Sequence, residues 1–263
     1  MIENTVKLDN IATAYGRNAG ACVTKEFSAS LSAGSFTCVL GMNGAGKSTL
    51  LRTMAGLLPP LSGHVYMLGR DIAQCSGREL ARVAGIVLTE RQAFSAQMTV
   101  EELVSLGRIP YTGLMGKLSE ADREIVENAL VRTGIGEMRT RRISSLSDGE
   151  RQKAMIAKTL AQQTPVILLD EPTAFLDFES KFETFRLLRS LAKENGKTVV
   201  AATHDLGTAF HAADILWVMR RGMKPVCGSP KELAAAGALD VFFKMPGVGF
   251  NREEMSYSIS LES

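Results

Sequence analysis

GMNGAGKST, residues 41–49, is the stretch on which the fold of this chain turns. It fits the pattern G-x-x-x-x-G-K-[ST], with Gly41, Gly46, Lys47 and Ser48 at the fixed positions. Glycines let the backbone curl until several N–H groups point at one anion. A helix starting there adds its positive end. The pattern predicts a phosphate cradle built by Asn43, Gly44, Ala45, Gly46 and Thr49. Lys47 would reach the β- and γ-phosphates of a nucleotide, and the Ser48 hydroxyl would hold Mg²⁺. The apolar run Phe36–Leu40 reads as the strand entering the loop, and residues 50–55 read as a helix stopping at Gly56.

Outward from the loop, the 263 residues suffice for one large domain or a domain with a subdomain. With 30 basic and 28 acidic residues the net charge is +2, which gives no strong pull toward nucleic acid. Cys22, Cys38, Cys75 and Cys227 are scattered without a C-x-x-C. That suits a reducing compartment better than a disulfide framework or a zinc site. No apolar stretch approaches the ~18 residues of a membrane span, and MIENTVKLDN has no signal-peptide core. The expectation is a soluble, cytoplasmic chain.

Short apolar runs alternate with helical segments, which predicts an α/β core with a largely parallel sheet. Candidate strands are 36–40, 83–88, 166–170, 199–203 and 215–219, the last in a hairpin with 224–227. Segments 6–14, 24–31 and 64–68 suggest an antiparallel patch. Capping boxes mark helix starts at Thr99/Glu102 and Ser76/Glu79, with a weaker one at Ser119/Asp122, and Ser229-Pro230 sets cap and first helical residue. Residues 91–161 carry helix signals and no convincing strand. The expected organisation is a core of 1–89 and 162–229, a helical subdomain of 90–161, and a helical tail of 230–263.

PVILLDE, residues 165–171, describes a buried strand delivering two acids at its carboxyl end, where α/β sheets bind ligands. Asp170 would hold the Mg²⁺ that bridges the phosphates. Glu171 would polarise an attacking water as general base. His204, in AATHD, ends another such strand and is placed to sense the γ-phosphate. Asp205 would cap the helix that follows.

A third piece, LSDGERQ at 146–152, completes a set with GMNGAGKST, VILLDEPTAFLD and THD. In this order the set resembles the ATP-binding subunit of ABC transporters, over essentially the whole chain. The resemblance implies a P-loop NTPase (RecA-like) α/β fold with an antiparallel β subdomain and an all-helical insert. It implies an ATPase with ATP and Mg²⁺ as cofactors. Two subunits would sandwich two ATP molecules head to tail, with Ser147 and the Gly149 N–H of one chain facing the γ-phosphate held by the other. Glu150 belongs to the same segment, and Asp177 would sit at the same interface. Tyr15 lies where the family stacks an aromatic ring on adenine; a half-buried packing role suits it as well.

The chain departs from the family pattern at two places. LSDGE replaces LSGGQ, so Asp148 and Glu150 are acids at a helix start, where negative charge is favourable by ~0.3–1 kcal/mol. The Asp148 side chain is expected to point away from the triphosphate. At the loop entering the insert, the family's Mg²⁺-sensing glutamine position holds Glu90, with Gln92 the nearby glutamine; Glu90 is expected to take the role as an oxygen ligand.

The chain carries one cassette and no fused span, which resembles bacterial importers with a separate permease dimer and, indirectly, a substrate-binding protein. Segment 98–113, MTVEELVSLGRIPYTG, is similar to the insert of siderophore, haem and cobalamin importers. The expected place is therefore the cytoplasmic face of the membrane, as a peripheral homodimer on an iron-chelate or cobalamin permease. Another ABC transporter class, or a soluble ABC ATPase, is the alternative.

Overall fold

The computed structural model describes residues 4–14, 22–88, 97–113, 116–174, 176–242, 248–251, 254 and 256–259. Tyr15, Glu90 and Gln92 lie outside the described residues.

Six strands make the central sheet: β3 (Phe36–Leu40), β6 (Ala84–Val87), β7 (Val166–Asp170), β8 (Thr198–Thr203), β9 (Ile215–Val218) and β10 (Val226–Gly228). Their order is β10-β9-β3-β8-β7-β6, parallel except for the β9–β10 hairpin at the edge. β3, β7 and β8 are buried at every residue, because both faces of the sheet are covered. Alternate side chains enter two different cores. Phe36, Cys38, Leu40, Ile167 and Leu169 join one that runs into the helical insert. Val39, Val166, Leu168, Val200 and Trp217 join another, under the antiparallel sheet.

That second sheet holds β1 (Val6–Ala14), β2 (Cys22–Leu31), β4 (Ser62–Met67) and β5 (Arg70–Asp71), in the order β2-β1-β4-β5. Its inner residues alternate with exposed ones over much of β1 and β2, as expected of a sheet with one wet face. Phe27 meets Trp217 edge-on, ring centres 5.1 Å apart, and so locks the two sheets together.

The helices are α1 (Lys47–Met54), α2 (Gly77–Val83), α3 (Val100–Ser105), α4 (Glu120–Arg132), α5 (Asp148–Ala161), α6 (Phe178–Lys193), α7 (Leu206–Ala212), α8 (Pro230–Ala235) and α9 (Ala238–Phe242). Capping boxes close α2, α3, α4, α5 and α8, and the Ser119/Asp122 box is complete although its acid is aspartate. Asp205 caps α7 by accepting from the Thr208 N–H at 3.1 Å. Among the described residues the insert is helical, with one isolated bridge between Thr99 and Arg142.

The expected helical tail needs correction. After α9 the chain forms an antiparallel hairpin, β11 (Val248–Asn251) with β12 (Ser256–Ile259). Phe250 packs its ring against Phe210 of α7 at 5.4 Å, so docking on α7 holds a strand where no helical period exists.

Candidate functional site

The cradle forms because β3 must turn sharply over the end of β9. Met219 donates its N–H to Leu40 O at 2.7 Å. A Cβ on Gly41 would then stand 2.5 Å from Met219 O, so a side chain has no room there. Gly46 caps α1 at φ +100°, a conformation L side chains resist, with Val23 at 2.9 Å from the same virtual Cβ. The first turn of α1 contains no acid and no side-chain cap. Its N–H groups therefore remain available to an anion.

Lys47 is buried, and its Nζ donates to Gly41 O at 2.8 Å across the loop. The same ammonium lies 3.4 Å from Glu171 Oε1. The Ser48 hydroxyl donates to Asp170 Oδ1 at 2.8 Å. Burial, then the neighbouring Glu171 charge, raises the Asp170 carboxyl above its ordinary value, against the opposing pull of the Ser48 hydrogen bond, Arg52 and Lys47.

Register brings the last two groups in. Asp170 of β7 stands beside Ala202 of β8, and the ladder runs one residue further as Glu171 N–H donates to Ala202 O at 2.8 Å. Glu171 turns out of the strand at φ +49°. Its Oε2 then accepts from the His204 backbone N–H at 3.3 Å and lies 2.8 Å from His204 Nδ1. A carboxylate only accepts, so the Nδ1–H tautomer of His204 is the one that makes this contact a hydrogen bond.

These groups open on a cleft of about 330 Å³ lined by residues 43–49, Arg52, Leu58, Asp170 and Glu171. Arg52 was missed by motif reading. It stands four residues after Ser48, on the same helical face, and that spacing was the available signal. The donor set suits a nucleotide phosphate chain with a divalent ion. Ser48 and Asp170 offer hard oxygens side by side. Among the described residues no cluster of three or more His, Cys, Asp or Glu could hold a metal alone.

Ser147, Gly149 and Glu150 of LSDGERQ, and Asp177, are not among the residues lining this cleft. Ser147 caps α5, its Oγ accepting from the Glu150 N–H at 3.2 Å. Glu150, expected at nucleotide, accepts from the Ser147 N–H at 2.8 Å and from Arg141 at 3.1 Å. Asp148 accepts from Arg151 at 3.0 Å. Asp177 caps α6 through the Ser180 N–H at 2.8 Å. Gly149 lies against α6, where a Cβ would stand 3.3 Å from Ser180 Oγ. Ser147, Gly149 and Asp177 thus belong to one contiguous surface, separate from the cleft that holds Lys47.

A family model described as ABC transporter matches residues 24–174. The chain is 36% identical over 242 residues to the ferric enterobactin transport ATP-binding protein of Escherichia coli, covering 91% of this chain and 88% of that protein. It is 38% identical over 225 residues to a cobalamin import ATP-binding protein of Halobacterium salinarum, covering 86% of this chain and 56% of that protein. Among solved structures, the dimeric structure of MJ0796, a bacterial ABC transporter cassette, matches with a TM-score of 0.74 at 26% identity, over 86% of this chain and 98% of that one.

Proposed function

The chain belongs to the ABC transporter family, and on that premise we propose that it is the ATP-hydrolysing subunit of an importer for an iron chelate or cobalamin. One observation carries the catalytic part. Lys47, Ser48, Asp170 and Glu171 line one cleft and His204 contacts Glu171 beside it, while Ser147 and Gly149 are not among its lining residues. A second copy, turned head to tail, brings its Ser147 and Gly149 N–H to that cleft, as the dimeric relative suggests.

Each residue then has a role. The α1 N–H groups and Lys47 bind the phosphate chain, and Lys47 exchanges Gly41 O for phosphate oxygen. Asn43, Gly44, Ala45, Gly46 and Thr49 supply the cradle, and Tyr15 would stack on adenine. Ser48 and Asp170, with Glu90, would hold Mg²⁺, which would supply charge neutralisation at the phosphates. Glu171 takes the proton from the attacking water. His204 holds Glu171 through Nδ1 and offers its second ring nitrogen to the terminal phosphate. Asp177 joins the dimer contact.

The insert carries a groove of about 730 Å³, lined by apolar residues that include Met98, Leu106, Ile109 and Val126, and by the charged Glu101 and Arg139. We assign it to a short helix of the permease. No helix among the described residues is long and apolar enough to cross a membrane. In this reading the subunit is peripheral, held at the cytoplasmic face by a permease dimer to which a substrate-binding protein delivers solute.

Complementation tests the sandwich. Mixed dimers of Lys47→Ala and Ser147→Arg chains have one intact composite site and should regain ATP turnover that neither variant shows alone. No recovery in verified mixed dimers would sink it. Deleting the gene should abolish uptake of a labelled ferric siderophore or of cobalamin, and retention of both rejects the importer assignment.

A further inference from the structure

Residues 109–112, IPYT, form part of the wall of the insert groove, since Ile109 and Thr112 both line it. Two arginines of α2 hold this segment by its backbone. Arg78 spreads its guanidinium over two acceptors, Nε donating to Pro110 O at 3.0 Å and Nη2 to Thr112 O at 2.9 Å. Arg82, one turn on, places Nε and Nη2 on the same Pro110 O at 3.1 and 2.9 Å. Among the described residues neither arginine pairs with a carboxylate, so both charges are directed at carbonyl oxygens.

Two cations lie over Tyr111, with the Arg82 guanidinium 5.1 Å and that of Arg108 4.1 Å from its ring centre. Its hydroxyl donates to Gln162 O at 2.9 Å. Gln162 is the C-cap of α5, the helix whose other end is capped by Ser147. The Gln162 amide returns to α2, donating to Ala81 O at 2.6 Å and Ala84 O at 3.3 Å. α2 runs straight into β6, and β6 is paired with β7, the strand that ends in Asp170. The groove wall, the C-terminal end of α5 and the β6 edge of the central sheet therefore meet at one junction.

We propose that Arg78 and Arg82 are positioning residues that couple the groove wall to the ATP site. With both in place, segment 109–112 moves with α2 and α5 as one body. A displacement at the groove then reaches Ser147 and Asp170 together, and nucleotide closure reaches the groove. The bidentate fork gives the directionality, because a lysine is a point donor and cannot bridge Pro110 O and Thr112 O. This inference rests on the assignment of the groove to a membrane partner and of the cleft to ATP.

Backbone amide hydrogen exchange of the full chain tests it, with and without Mg²⁺-ATP, in a Glu171→Gln background that slows turnover. ATP should slow exchange in 106–113 as well as around 147–150. In Arg78→Ala/Arg82→Ala the response at 147–150 should remain and that at 106–113 should be lost. Arg82→Lys keeps a donor for Pro110 O and a cation over Tyr111, and should retain the response. Arg78→Lys should lose it, and these two folded single variants decide the matter if the double alanine variant fails to fold.

A merely structural role predicts faster exchange at 106–113 with and without ATP, the ATP-dependent difference unchanged. That result overturns the proposal, as does a full response in Arg78→Lys. A parent chain that binds ATP without any change at 106–113 also overturns it. A parent chain that binds no ATP instead rejects the assignment of the nucleotide site.

Discussion

His204 Nδ1 lies 2.8 Å from Glu171 Oε2, although 33 residues separate the two in sequence. The other Glu171 oxygen faces the Lys47 ammonium at 3.4 Å. Glu171 is thus held from both sides beside the 41–49 loop, which is the position the proposed general base requires.

Replacing Glu171 by Gln keeps the shape and one acceptor and removes the base. ATP turnover should fall by about 100-fold or more, while ATP binding persists and the protein accumulates as a dimer with ATP. Steady-state hydrolysis and size-exclusion chromatography check this. Unchanged turnover removes Glu171 as the base.

Lys47→Ala removes a buried ammonium that the loop holds by its own carbonyl. A charge-assisted bond of about 1.5–3 kcal/mol corresponds to a roughly 10- to 100-fold weaker ATP affinity. Fluorescent-nucleotide titration reads the loss directly. An unaltered affinity would mean that the backbone cradle alone binds the phosphates.

Glu150 titrates below the usual glutamate range, chiefly because its carboxylate accepts the Ser147 N–H and, less, through Ser147 Oγ and the Arg141 charge. A depressed carboxyl stabilises the fold above the unfolded value of about 4.3 and loses that contribution as pH falls through the folded value. Glu150→Gln should therefore cost ~0.3–1 kcal/mol at neutral pH. The difference from the parent should vanish in acid. Urea unfolding in neutral and acidic buffer measures both, and a gap that persists in acid assigns it to something other than the charge.

At the entrance to the insert, Glu90→Ala should abolish Mg²⁺-dependent turnover and Gln92→Ala should leave it intact. The comparison needs hydrolysis rates across a Mg²⁺ titration. The reverse pattern assigns the role to Gln92.

Much of the candidate site was legible because its parts are local. The spacing of Gly41, Gly46, Lys47 and Ser48 encodes a loop, since only nearby backbone geometry is involved. The apolar run into Asp170 and Glu171 encodes a buried strand with acids at its end. Capping boxes such as Ser76/Glu79 span three residues and report helix starts for the same reason. Arg52 was readable in principle from its helical spacing to Ser48.

What the amino-acid sequence determined by itself was therefore the set of local elements and the chemistry carried at their ends. Only the tertiary structure decided their partners. Strand order placed β8 beside β7 and so brought His204 to Glu171. Docking on Phe210 held the chain end as a hairpin. Arg78 and Arg82 found the carbonyls of Pro110 and Thr112. Backbone carbonyls are the same in every residue, so a side chain that binds one leaves no pattern in the sequence. Its acceptor is chosen by the packing that brings distant segments together.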